Sequence, residues 1–365
     1  MSFEILAMAD KEAWERYILL LPNADVYFTW GYCKIYEDNG EGLARMFVYS
    51  DQDGIICYPF LLRKINDLPI IRGIGIEEDC YDISTPYGYG GPLSNVTDST
   101  VRKRLFASFS DAFGQYCRSN NIVTEFVRFH PIIKNYLDYE DVGPVFLRNT
   151  ISIDLFGTDQ EIMQRFSGEN RNRIRKAKKE GLQFVCSDET NLDHFIRLYY
   201  STMDRNNANS YYYFSDNFFL NTVELLSGHV KLFEVRLNDQ VLVSSLFMYY
   251  NKYAHYHFMG ANKEYLRLAP VNLLISEAAM WAKEQGCQYL HLGGGYIDKD
   301  SLYRFKRTFN EETALDYYVG KKVHRADIYN DILTRLSIDA KAEYFPAYRN
   351  PSLQRSHLLN TTTGT

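Results

Sequence analysis

Apolar residues recur along this chain with two periods, and turn residues stand where the period changes. Helical spacing runs over residues 11–21 up to Pro22-Asn23, and again over 28–36 up to Asn39-Gly40. Two strand-like runs, 45–49 and 55–63, flank Ser50-Asp-Gln-Asp-Gly54, which predicts a hairpin. Residues 70–76 read as a third strand, 81–92 as a loop, 100–120 as a helix and 123–129 as a strand. Past Gly143-Pro144 the order recurs: a strand at 150–155, then helices at 160–179, 191–206 and 216–227. Strands at 230–236, 241–250 and 253–259, joined by Asn238-Asp239 and Asn251-Lys252, form a meander. A helix at 271–284 and a strand at 288–292 follow. The expected class is α/β (α+β), with one plan used twice: a first half over 1–150, a second over 151–345, and a tail over 346–365 that is expected to fray after Arg349.

A chain of 365 residues is long for a single core, which agrees with two halves. The 30 Tyr and 23 Phe favour strands and polar-tipped clefts over a plain helical bundle. A net charge of -6 argues against unspecific binding to nucleic acid, so DNA is not an expected partner. No apolar run reaches the length of a membrane span, and Met1-Ser-Phe-Glu-Ile-Leu lacks a cationic lead, so a cytoplasmic protein is expected. Six scattered cysteines carry neither disulfide nor zinc spacing.

Several groups of residues carry possible chemistry. Arg171, Arg175, Lys178 and Lys179 share one helical face, suited to a polyanion or to plain solvation, while Ile174 and Ala177 point to a core. Arg205 ends a helix just before Tyr211-Tyr212-Tyr213. Its planar fork suits a phosphate or carboxylate, or an ordinary ion pair, and Tyr212 offers a hydroxyl to a sugar or amide. Pro86-Tyr-Gly-Tyr89-Gly-Gly-Pro92 reads as a stiff binding loop or a tight turn. Lys306 follows the Gly293-Gly-Gly295 turn between Phe305 and Arg307. Apolar neighbours there would bury its stem and strengthen its field, whereas a surface lysine is the plain alternative. His255, His257 and His291 lie in strand patterns as core or edge residues, and no metal is expected.

Taken in order, Arg171-Asn-Arg-Ile-Arg-Lys-Ala-Lys-Lys-Glu-Gly181, Met203-Asp-Arg205, Tyr256-His-Phe-Met-Gly-Ala-Asn262, Leu292-Gly-Gly-Gly295 and Phe305-Lys-Arg-Thr-Phe309 resemble the FemAB-like family. These are the tandem-GNAT aminoacyltransferases of peptidoglycan bridge formation and their acyltransferase relatives. The resemblance implies two GNAT-like halves, each a mixed, mostly antiparallel sheet flanked by helices. It also implies amide formation on an amino group of a nucleotide-linked cell-envelope precursor, in cell-wall biogenesis. The donor is a co-substrate, aminoacyl-tRNA or acyl-CoA, and no resident cofactor is implied. By the same resemblance Lys306 and Tyr256 are the expected catalytic pair and Lys34, Tyr89 and Arg205 contact substrate; Tyr212 and Phe305 complete the candidate substrate-binding set. Asp298, Asp300 and Tyr303 are the candidate bases.

One departure bears on the donor. Acyl-CoA enzymes of this type cradle pyrophosphate on a glycine-rich loop opening a helix, whereas here the loop is Arg267-Leu-Ala-Pro270-Val-Asn. Proline removes one N–H donor there, which argues against a conventional coenzyme A site. Three functions stay open: aminoacyl transfer to an envelope precursor, transfer from acyl-CoA, and carbohydrate or nucleotide binding without chemistry.

Overall fold

A computed structural model describes residues 2–187, 189–339 and 341–353. Its strands are β1 (Ser2–Ala7), β2 (Leu43–Ser50), β3 (Ile55–Lys64), β4 (Tyr81–Ser84), β5 (Leu93–Ser94), β6 (Ile122–Arg128) and β7 (Val145–Asp154). They continue as β8 (Gln183–Ser187), β9 (Val230–Leu237), β10 (Gln240–Tyr250), β11 (Tyr253–Ala261), β12 (Tyr289–Gly293) and β13 (Leu315–Val323). The chain divides into two compact units. Among the described residues, the first holds the chain up to Pro22, Tyr27–Leu147, and Tyr318 to residue 353; the second holds Asn23–Val26 and Arg148–Tyr317.

The first unit orders its strands β1-β2-β3-β4-β6-β13, with β5 on β3. All these pairs are antiparallel except β4 with β6. The Ser99–Ser119 helix is capped by Asp98, whose carboxylate accepts the N–H groups of Thr100 and Val101 at 2.9 Å. It lays Phe106, Phe109, Phe113 and Cys117 onto Phe47, Tyr58 and Phe60 of the sheet. Beneath that layer the buried Glu125 accepts Tyr58 Oη at 2.9 Å, Tyr139 Oη at 3.3 Å and His324 Nε2 at 2.9 Å. Its charge is therefore matched by donors rather than by water.

Two sequence expectations need correction here. Residues 70–76 are not a strand: Pro69 presets the first turn of a short Pro69–Arg72 helix, and Ile70 and Ile71 are buried. The third strand is instead β4, inside the stretch expected to be loop, with its buried Asp82 paired to Arg63 at 2.6 Å. The second unit runs to Tyr317, and β13 pairs with β6 from Val319 to Val323 in the first. Ahead of the stretch expected to fray, Tyr348 is buried with its hydroxyl 2.9 Å from Thr124 Oγ1, and Arg349 pairs with Asp82. Residues 354–365 of the tail lie outside the described residues.

The second unit repeats the plan. Its order is β7-β12-β11-β10-β9-β8, antiparallel except for β11 with β12. In each unit three antiparallel strands lead into a helix and then into a strand parallel to the third. Here that helix is Pro270–Glu284, which buries Leu274, Ile275, Ala278, Ala279 and Ala282 against the sheet. The helix expected over 160–179 is two, Asp159–Gln164 and Gly168–Lys179. Ser167 separates them, its side chain capping Asn170 N–H at 3.1 Å and its own N–H donating to Thr308 O at 2.8 Å. Segment Asn23–Val26 is held by Lys252, whose Nζ donates to Asn23 Oδ1 at 3.1 Å, and by the buried Asp25–His255 pair at 2.6 Å. Among the described residues no helix is long and apolar enough to cross a membrane.

The Asp193–Arg205 helix touches β11 backbone to backbone at Gly260. A Cβ there would stand 2.2 Å from the Leu198 carbonyl carbon and 2.3 Å from Tyr199 N. Gly260→Ala is therefore expected to cost about 2–3 kcal/mol in urea unfolding through overpacking. An unchanged unfolding midpoint would mean that the helix does not rest on that strand.

Candidate active site

Strands β11 and β12 pair only at Tyr253↔Tyr289, Ala254↔Leu290 and His255↔His291. Beyond that point β12 shifts register against β7 between His291 and Gly293, and β10 shifts against β11 between Leu246 and Phe247, where Phe247 faces Tyr256. Two adjacent parallel strands that stop bonding part from each other, and the peptide groups at the fork need other partners. Tyr256 is the first residue of β11 past the fork.

Lys306 reaches the same place from the Ser301–Arg307 helix. It is only 7% exposed, its Nζ donates to Gly294 O at 2.7 Å, and it lies 5.9 Å from the centroid of the Tyr256 ring. Burial pulls its pKa down to about 8 from an ordinary 10.5, and the charge of Asp300 opposes that fall. The side chain is therefore mostly an ammonium near neutrality, in surroundings where its field is weakly screened. Burial also drives the Tyr256 phenol well up, so this hydroxyl keeps its proton.

Asp300 caps the helix that carries Lys306, accepting Tyr303 N–H at 2.8 Å. Its other oxygen accepts Tyr296 N–H at 2.8 Å and Ile297 N–H at 3.2 Å. Although burial pushes the other way, these N–H bonds hold its pKa below the usual carboxylate value. A carboxylate so occupied is a poor proton acceptor. Of the other candidate bases, Asp298 is exposed and Tyr303 is buried in the core of the unit.

The remaining candidates are placed as follows. Tyr212 lies at the end of the Ser210–Tyr212 turn, with its carbonyl accepting Tyr199 Oη at 2.8 Å. Its ring meets that of Tyr296 edge-on at 6.2 Å, and Tyr296 belongs to the loop that supplies the Lys306 acceptor. Arg205 donates to Ala261 O at 3.1 Å, at the far end of β11, roughly 17 Å along the strand from Tyr256 at about 3.4 Å per residue. Phe305 packs edge-on against Phe309 at 5.6 Å and onto the core of the unit.

Lys34 and Tyr89 belong to the first unit. Lys34 is bonded to Asp38 and lies 3.8 Å from Glu37 on its own helix, so two carboxylates already answer its charge. Tyr89 packs edge-on against Tyr27 at 5.4 Å and His130 at 5.6 Å. Lys306, Tyr256 and, through the 294–297 loop, Tyr212 are thus brought together, whereas Arg205 and Phe305 are engaged elsewhere in the same unit. The basic face of Gly168–Lys179 is partly paired, Lys178 with Glu277 at 2.6 Å and Arg173 with Glu169 at 2.7 Å.

Sequence reasoning did not single out the Gly294 carbonyl that Lys306 meets, nor Arg148, whose Nη1 donates to Gly295 O and Tyr296 O of the same loop at 2.7 Å. The capping role of Asp300 was visible in Asp300-Ser-Leu-Tyr, an aspartate directly ahead of a helical run. At the opening of Pro270–Glu284, Ala269 adopts φ +57° ahead of Pro270, and the buried Asn272 donates to Asn170 Oδ1 at 2.9 Å.

Residues 164–307 match the family described as the acetyltransferase (GNAT) domain. No curated protein matches the chain significantly. Among solved structures, the chain is similar to FemX, with 16% identity, 91% of this chain and 100% of that chain covered, and a TM-score of 0.67. A conserved protein of unknown function from Bacteroides thetaiotaomicron is similar at 11% identity, with 88% and 99% covered and a TM-score of 0.55. The C-terminal domain (DUF2156) described for a lysylphosphatidylglycerol synthetase from Agrobacterium fabrum is similar at 13% identity, with 89% and 95% covered and a TM-score of 0.50. The chain shares the fold of FemX, and its residues 164–307 match the acetyltransferase (GNAT) domain.

Proposed function

We propose that this chain is an aminoacyl- or acyltransferase that forms an amide on an amino group of a cell-envelope precursor, a nucleotide-linked sugar or peptide. The observation that carries the reading is the buried ammonium of Lys306 beside Tyr256 at the fork of β11 and β12, inside a GNAT domain. The acceptor amine attacks the donor carbonyl and forms the new C–N bond. The carbonyl oxygen takes up negative charge, and as the intermediate collapses the donor's C–O or C–S bond breaks. The amine's proton leaves, and the departing hydroxyl or thiol gains one. Lys306 stabilises the oxyanion, and holding both substrates at the fork supplies much of the remaining rate.

An acyl-CoA donor is the second reading, and the match of residues 164–307 to an acetyltransferase model favours it. Against it stand Pro270, which offers no N–H at the first position of its helix, and the Asn272 side chain, which is turned to Asn170. Thermal shift separates the two, because a ligand of the native state raises its apparent stability. Charged tRNA and a nucleotide-linked precursor are expected to raise the melting temperature, and stabilisation by coenzyme A alone would move the assignment to the second reading.

Two outcomes are expected for Lys306. Lys306→Ala keeps the fold and lowers transfer about 10²–10³-fold, measured as product formed in single-turnover assays; unchanged turnover would remove the residue from the chemistry. In the wild type, transfer falls as pH rises through about 8, where the ammonium is lost. The sign for stability is opposite: between about pH 8 and 10.5 the unfolded chain binds a proton that the native lysine does not. The wild type should therefore gain stability relative to Lys306→Met across that window, and denaturation curves at both ends of it check this.

A further inference from the structure

We infer that Arg148 and Asp300 are positioning residues that lock the 294–297 loop, so that the Gly294 carbonyl holds the Lys306 ammonium where it acts. This inference rests on the proposed role of Lys306. Three successive carbonyls of the loop accept cationic donors: Gly294 O takes Lys306 Nζ, and Gly295 O and Tyr296 O both take Arg148 Nη1, each at 2.7 Å. The opposite ends of the last two peptide units are held as well. Tyr296 N–H and Ile297 N–H both donate to Asp300 Oδ2, at 2.8 and 3.2 Å.

Two consecutive peptide planes are therefore each fixed at the oxygen by a guanidinium and at the nitrogen by a carboxylate. Charge-assisted bonds at both ends polarise a peptide and resist its rotation. Gly295 makes the approach of Asp300 possible, since a Cβ there would lie 2.1 Å from Asp300 Oδ1. The anchors are stiff on both sides. Arg148 stands on β7, which pairs with the strand leading into the loop at Ile151↔Gly293, and Asp300 caps the helix that carries Lys306. A flexible lysine needs such a fixed acceptor, because its ammonium otherwise follows whichever carbonyl moves.

The test uses the full chain with lysine labelled at ¹³Cε, the Lys306 signal being assigned by its loss in Lys306→Met. In Asp300→Asn the Lys306 titration is expected to move down by roughly half a pH unit or more, because a charge favouring the ammonium is gone. In Arg148→Met, amide exchange at Tyr296 and Ile297 is expected to quicken about tenfold or more while β9 and β10 keep their protection. Arg148→Lys, which retains a cationic donor, restores part of that protection. In assays of transfer, Arg148→Met should lower kcat about tenfold and leave KM for the acceptor nearly unchanged. A Lys306 titration in Asp300→Asn and exchange rates in Arg148→Met that both superpose on the wild type would overturn the inference. The NMR measurements need no turnover. Shifted titration and exchange in a protein that transfers nothing would leave the clamp standing and defeat the assigned reaction.

Discussion

A charged ammonium removed from water must recover its hydrogen bonds and a favourable field, and at Lys306 the surroundings supply both. The Gly294 carbonyl takes the place of one water, the Tyr256 ring presents its electron-rich face, and Asp300 supports the charge from the cap of the same helix. The compensation is incomplete, and the pKa falls to about 8. In the proposed reaction that incompleteness is an advantage, because a fully satisfied cation has little left to offer a developing oxyanion.

The fork that makes room for this cation follows from sheet geometry. A parallel pair amid antiparallel neighbours is the one place where the two strands must be joined by a long crossover, here the Pro270–Glu284 helix. Where pairing stops after three pairs, the facing peptide groups need other partners. The first unit uses the same pattern around β4 and β6, yet what it buries there is different: Asp82 between Arg63 and Arg349, and Glu125 among Tyr58, Tyr139 and His324. Those carboxylates have their donors close about them, so one plan serves as a braced core in one unit and as a candidate site in the other.

Local pattern made much of this legible. The amphipathic helices, the β9-β10-β11 meander with its Asn-containing turns, and the strand–helix–strand order of both units all stand in the sequence, because periodicity and turn chemistry are local properties. The errors fell where long-range pairing overrode local preference. Residues 70–76 read as a strand but follow a helix-starting proline, whereas β4, only four residues long, was hidden in a loop-like stretch. β13 and its partner β6 lie far apart in sequence, and no local signal ties them together.

At the site the division is the same. The sequence alone named the candidates: a lysine in Phe305-Lys-Arg-Thr-Phe309, a tyrosine in an apolar strand, and glycines before an aspartate-capped helix are all written in residue types at short spacing. Only the tertiary structure decided that Lys306 is buried, that it points to Gly294, and that Arg148, 147 positions before Gly295, secures the loop beside it. The reason is physical. Those contacts are made to backbone carbonyls, which every residue possesses, so nothing in the order of side chains announces which carbonyl a distant cation will find.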